Sequence, residues 1–204
     1  MRKRLLYSLL PGVAFSLAPF TLSAQHPGSP QPPNPASPTQ SRGMNDSAEP
    51  MAIPHSQADD KTFLKNAAAG GLAEVELGKL AAGKGSTDGV KQFGQRMVED
   101  HSKANELLKQ VAGRESIAVP DSLDAKAQAR VDKLAKLSGA QFDRAYIKDQ
   151  VKDHEHDVRE FQLEAENGLD PDVKHFAAQT LPTLKEHLTM IKDLRKNSNS
   201  TSRK

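Results

Sequence analysis

Four residues able to ligate a metal stand on otherwise apolar helical stripes: Glu74, His101, His154 and His187. The clearest stripe lies between Phe142 and Ala165, where Ile147, Val151, His154, Val158, Phe161 and Ala165 recur at steps of four and three. That spacing marks one buried face of an α-helix. His154 stands in the middle of the stripe, whereas His156, two residues on, projects from the opposite side. Three imidazoles and one carboxylate, one from each of four helices, make a first-row metal site, with zinc, iron, copper and manganese all open as the ion. The same four residues also suit a metal-free network of His–Glu hydrogen bonds that sets helix register. A buried polar group needs a partner in either arrangement, so burial alone does not separate the two.

The elements that must position these residues follow from periodicity and punctuation. The first helix is expected over residues 59–82, with Phe63, Ala67, Gly70, Leu77 and Ala81 on its inner face and Glu74 in the same row. Glu76 points the other way, with Lys61, Lys65 and Lys79. Gly83 and Gly85 stop this helix, and the run Ser86-Thr87-Asp88 offers caps for the next. The second helix, 88–112, carries Val90, Phe93, Met97, Ala104, Leu108 and Val111 around His101, and Gly113 closes it. The short connection makes the two an antiparallel hairpin.

Residues 114–139 form a connector holding a short helix over 123–137, capped from Asp121 and Ser122, long enough to cross the bundle. Ser138-Gly139 breaks it before the third bundle helix at 140–167, which Gly168 ends. Asp170-Pro171-Asp172 then opens the fourth helix, 171–195. That helix buries Val173, Phe176, Ala177, Leu181, Leu184, Leu188, Ile191 and Leu194 with His187 alongside, and it places Pro182 on its outer face. Counted from the loops, the heights of the four polar residues disagree by roughly 5 Å, about one turn. Asp100, Asp153 and Asp157 flank the stripes as outer partners for ligands. His175 reads as exposed.

The ends of the chain read differently. Arg2, Lys3 and Arg4 precede an apolar run broken by Pro11, Gly12 and Pro19, and Ser23-Ala24 closes it. This is the pattern of a secretory signal peptide, residues 1–24. An uncleaved anchor is disfavoured, because the run is short and punctuated beside the roughly 20 apolar residues a spanning helix needs. Residues 25–57 hold eight of the thirteen prolines among Gln, Ser and Asn. They have little to bury and read as a disordered tether, through which an envelope partner could be reached. The bundle domain is placed at 58–196 and a disordered tail at 197–204. The formal charge of +2 becomes about −1 once the three basic residues of the signal are removed, which gives nucleic acid no electrostatic match. There is no cysteine, so disulfides and a catalytic thiol are excluded. No Gly-x-Ser-x-Gly or phosphate-cradling Gly-rich motif is present. No catalytic residue is assigned, and nothing sets the oligomeric state.

The run Gly71-Leu-Ala-Glu74-Val-Glu76-Leu-Gly78, the segment from Arg96 to Asn105 with Asp100 and His101, the Phe142-Asp143-Arg144-Ala145-Tyr146 block with His154, and the stretch from Ala177 through Pro182 to His187 resemble a family of secreted bacterial proteins. That family is catalogued as domain of unknown function 4142, and its members are often labelled outer-membrane proteins. The resemblance spans about residues 59–195. It implies a ferritin-like antiparallel four-helix bundle and export, with no assigned activity. Ferritin-like di-iron proteins use Glu-x-x-His pairs, whereas Val98 and Leu184 stand three residues before His101 and His187 here.

The sequence is therefore read as an all-α, exported four-helix bundle with a long helical crossover. Its leading function is a non-enzymatic metal-binding or stress-related envelope protein. The alternatives are an oxidoreductase related to di-iron bundles and a structural module with a buried His/Glu network.

Overall fold

The computed structural model describes residues 57–201, with side chains from 59 to 198. The expected signal peptide, nearly all of the expected tether and the last three residues of the expected tail lie outside the described residues. Five helices follow in order: α1 (Gln57–Lys84), α2 (Asp88–Arg114), α3 (Ala125–Ala135), α4 (Gly139–Asn167) and α5 (Pro171–Thr201). The long helices α1, α2, α4 and α5 form the expected bundle. The α1–α2 and α4–α5 hairpins pack against each other, and α3 lies on α1 and α4. Among the described residues, no helix is long and apolar enough to cross a membrane.

Helix ends show where local chemistry decides. Thr87 caps α2, its side chain accepting from Val90 N. Asp170 caps α5, accepting from the backbone N–H groups of Asp172 and Val173 at 2.9 and 3.0 Å, with Pro171 in the first helical position, where no donor is missed. Gly113 does not close α2 as expected. The helix runs on to Arg114, and the left-handed position falls at Ser116, with φ of 53°. The amide of Ile117 bonds to Ala112 O at 2.8 Å and that of Ser116 to Gly113 O at 3.3 Å. This pair of reversed bonds satisfies two orphan carbonyls.

The crossover helix α3 is shorter than expected. Its cap is Asp124, accepting from Ala127 N at 2.7 Å, rather than Asp121 or Ser122. At the other extreme, α5 continues past residue 195 to Thr201. No glycine or proline stands there to stop it, and Ser198 Oγ donates back to Arg195 O at 2.9 Å.

Two residues tie the hairpins together. The buried Asp143 carboxylate on α4 accepts from the backbone N and the hydroxyl of both Ser86 and Thr87, at 2.8 to 3.0 Å. It clamps the α1–α2 loop. At the opposite end, the buried Asp60 accepts from Leu169 N and Asp170 N in the α4–α5 loop.

The core is in two parts. One cluster contains Phe63, Leu64, Leu108, Phe161, Phe176 and Leu184, and the other contains Leu77, Phe93, Met97, Phe142, Tyr146 and Ile191. Between them, on all four long helices, lies a polar layer. His101 sits between Met97 and Leu108, His154 between Val151 and Phe161, His187 between Leu184 and Ile191, and Glu74 between Ala68 and Leu77. Each large apolar side chain buried on either side contributes about 1.5–3 kcal/mol, so the flanking clusters can carry a costly polar layer.

Candidate metal centre

The imidazoles of His101, His154 and His187 meet at one level of the bundle. Their ring centroids are 5.8 Å (His101–His154), 5.5 Å (His101–His187) and 5.5 Å (His154–His187) apart. One ring nitrogen from each lies within 4.8 Å of the others. All three side chains are buried. Phe93 packs edge-on against His154 and His187, with centroids 6.3 and 6.2 Å away, and walls the group off on the side of the second cluster.

Outer hydrogen bonds fix two of the rings. His154 Nδ1 donates to the Gln150 carbonyl at 3.1 Å, one turn back along α4, which leaves Nε2 as the bare nitrogen. His187 Nε2 donates to Asp100 Oδ2 at 2.9 Å, which leaves Nδ1 bare. Asp100 is held in turn by Arg96, one turn earlier on α2. Burial works against the charge of Asp100, but the bonds from Arg96 and His187 hold its carboxyl below the usual range. This carboxylate–imidazole pairing orients a ligating histidine and raises its basicity.

Three buried imidazole nitrogens, His101 Nε2, His154 Nε2 and His187 Nδ1, have no hydrogen-bond partner. An unsatisfied buried polar group costs about 1–3 kcal/mol. Three of them in one place are a sizeable penalty, which an ion bound to all three would relieve. The rings are also held neutral. Burial, then the neighbouring His154 and His187, pull the pKa of His101 from 6.5 to about 3. Burial and then His187 pull that of His154 to about 4. His187 is lowered by burial too, with Asp100 opposing the shift. Neutral imidazole is the form that binds metal.

Glu74 does not join them. Its carboxylate is fully buried in the same layer but turns toward α3 and α4. Oε1 accepts from Gln150 Nε2 at 3.2 Å and from Arg130 at 3.3 Å. Arg130 also holds Asp149 and Asp153, at 2.6 and 3.1 Å. Burial first, and then the adjacent Asp153 carboxyl, raise the pKa of Glu74 well above the carboxylate range. The expected four-residue set thus becomes three histidines, with Glu74 behind them, reaching His154 only through Gln150. The physical reason is Arg130: the crossover helix brings a guanidinium that competes for the carboxylate. The expected His–Glu hydrogen bonds are absent for the same reason.

Of the outer partners expected from the sequence, Asp100 orients a ring, and Asp153 serves Arg130. His156 and His175 are exposed, as expected. Gln150, Arg130 and Phe93 were not foreseen as parts of the site.

A cavity of about 170 Å³ adjoins the centre, with His101 and His187 in its wall. Phe63, Phe161 and Phe176 close its apolar end, and Asp153, His156, Asp157 and Glu160 line α4's side. Gly71 gives Asn105 its place in the wall, since a Cβ there would come within 2.0 Å of Asn105 Oδ1.

Residues 45–194 match the family described as a domain of unknown function, DUF4142. The chain belongs to that family. No curated protein matches it. Among solved structures, it is similar to a DUF305 fragment from Deinococcus radiodurans, with a TM-score of 0.59, 14% identity, and 71% of this chain and 99% of that chain covered. It is also similar to CopM in its Cu(I)-bound form, with a TM-score of 0.57, 15% identity, and 68% and 96% coverage. A DUF305 protein from Streptomyces coelicolor gives 0.59, 13%, and 70% and 95%. At such identities the likeness is one of fold.

Proposed function

We propose that this chain is an exported metal-binding protein that holds one copper ion between His101, His154 and His187. The observation that carries this reading is the meeting of three buried imidazoles, one ring nitrogen of each within 4.8 Å of the others, each ring with one nitrogen that has no hydrogen-bond partner. Metal–imidazole bonds are about 2.0–2.1 Å long for zinc, so modest ring rotations would bring the three nitrogens onto one ion. Neutral nitrogen donors without a carboxylate suit copper or zinc better than magnesium, calcium or manganese, and copper leads the divalent affinity order. The similar fold of CopM in a Cu(I)-bound form favours copper among these. Export rests on the signal-like residues 1–24.

The test is metal titration of chelator-treated protein with Cu(I) under reducing conditions, with Cu(II) and with Zn(II), followed by thermal melting at neutral pH. A ligand bound only by the folded state stabilises it by about 2.7 kcal/mol at a hundredfold excess over its dissociation constant. Copper at one ion per chain should raise the melting temperature. His101→Ala and His187→Ala should each abolish that rise, and His175→Ala should preserve it. Chelated and copper-treated wild type melting together would reject the site, and a response to Zn(II) alone would reassign the ion.

A further inference from the structure

The cavity beside the histidines has a sided arrangement of charge. Its inner wall carries His101 and His187, each with a buried ring nitrogen that has no partner. Its outer part is formed on α4 by Asp157, Glu160 and the exposed His156. Residues three and four apart share a helix face, so Asp153, Asp157 and Glu160 make a line of carboxylates leading toward the centre.

The acids of this cavity differ in what they already do. Asp100 is held by Arg96 and His187. Asp153 is held by Arg130. Asp157 and Glu160 make no hydrogen bond or ion pair among the described residues, and Asp157 is half-buried. His156 likewise has no partner among them. Three uncommitted donor groups therefore stand at the mouth of a cavity whose floor holds bare imidazole nitrogens. The volume, about 170 Å³, is room for several waters, and so for a partly hydrated cation.

Resting on the metal-binding reading, we propose that Asp157 and Glu160, with His156 beside them, form the mouth through which a metal cation is captured and guided to His101 and His187. Glu160 attracts the hydrated ion, Asp157, whose pKa burial and then Asp153 raise to about 8, releases its proton to solvent as the ion binds, and His156 offers a first imidazole in exchange for water. The ion then moves along the cavity to the unpartnered nitrogens of the buried rings. Clefts dominated by one sign of charge raise the on-rate of an oppositely charged ligand by about 10–10³-fold, and salt removes the effect; Arg130, the cation among the lining residues, is already held by Glu74, Asp149 and Asp153.

The experiment is stopped-flow loading of the chelator-treated full chain with aqueous Cu(II), at a series of ionic strengths. The Asp157→Asn/Glu160→Gln variant should load about tenfold or more slowly than wild type at low salt, and the two rates should converge as salt rises. Glu106 and Asp121 are exposed and line a separate groove. Glu106→Gln/Asp121→Asn therefore removes one Glu and one Asp elsewhere, at least as large a change in net charge, and it should load like wild type. If the α4 variant takes up copper at the wild-type rate at every ionic strength, the route is wrong while the binding site stands. If the control pair slows uptake equally, net charge and not this mouth sets the rate, which also overturns the proposal. A wild type that takes up no copper would end both the route and the metal-binding reading.

Discussion

Replacing His154 by alanine should cost metal-free protein less stability in mild acid than at neutral pH. His154 is fully buried, with Nδ1 on the Gln150 carbonyl and Nε2 unpartnered. Its pKa falls from 6.5 to about 4 on folding, through burial and then the neighbouring His187. Between those values the unfolded chain binds a proton that the folded chain does not. Stability contributed by the neutral ring is therefore complete above the unfolded pKa and is lost as pH falls toward the folded one. At 1.36 kcal/mol per unit, moving from pH 7 to pH 5 removes about 2 kcal/mol from the wild type. The alanine variant has no imidazole to protonate and keeps that amount.

At pH 7 the variant should be about 1–3 kcal/mol less stable, because the buried ring's packing and its bond to the Gln150 carbonyl are lost. At pH 5 that deficit should shrink by about 2 kcal/mol. The assay is urea unfolding followed by helical circular dichroism, in the presence of chelator. The difference between the proteins is the readout because the buried acids act in the opposite sense. The pKa of Glu74 is raised well above its usual value by burial and Asp153, and that of Asp157 is raised to about 8 by the same causes. Acids shifted upward lose stability as pH rises, so they flatten the profile of the wild type. His156→Ala, at an exposed position, should stay within about 0.5 kcal/mol of wild type at both pH values. A His154→Ala deficit that is the same at pH 7 and pH 5 would refute the burial of a neutral imidazole in this layer.

Asp143→Asn removes the charge that receives four hydrogen bonds from Ser86 and Thr87. It should cost about 3 kcal/mol in urea unfolding, with faster amide exchange at Ser86 and Thr87. Gly94→Ala would bring a Cβ within 2.6 Å of Ala82 N and 2.7 Å of Gly78 O, and such backbone crowding between α1 and α2 should cost about 1–3 kcal/mol. Gly70→Ala, with nothing within 4 Å of the added Cβ, should instead raise the melting temperature, by up to about 1 kcal/mol of helix propensity. Opposite signs for these two glycines would be read directly from melting curves.

The four long helices, their inner faces and their connections are legible in the sequence, because each of these features is local. The stripe through His154 appears at helical spacing, Asp170-Pro171 announces a helix start, and Gly83 to Gly85 announces a stop. The separation of His154 from His156 is equally local, since two residues along a helix reverse the side chain's direction. That three histidines and a glutamate stand in one layer was visible only to within about one turn. Packing of apolar residues above and below that layer sets the final register.

What tertiary structure alone decided is which of the four meet. Glu74 and the histidines share a level, but a carboxylate goes to the strongest donor within reach, and that donor is Arg130. Arg130 belongs to the short α3, whose stripe of Ala127, Val131 and Leu134 shows an inner face but not that the adjacent guanidinium reaches Glu74 on another helix. Gln150 and Asp143 were hidden differently: as single polar residues in a strongly charged helix they look solvated, and their burial follows only from the neighbouring hairpin laid against them. Helix periodicity specifies a face, whereas a ligand set depends on distances between faces of different helices, which arise only when the core closes.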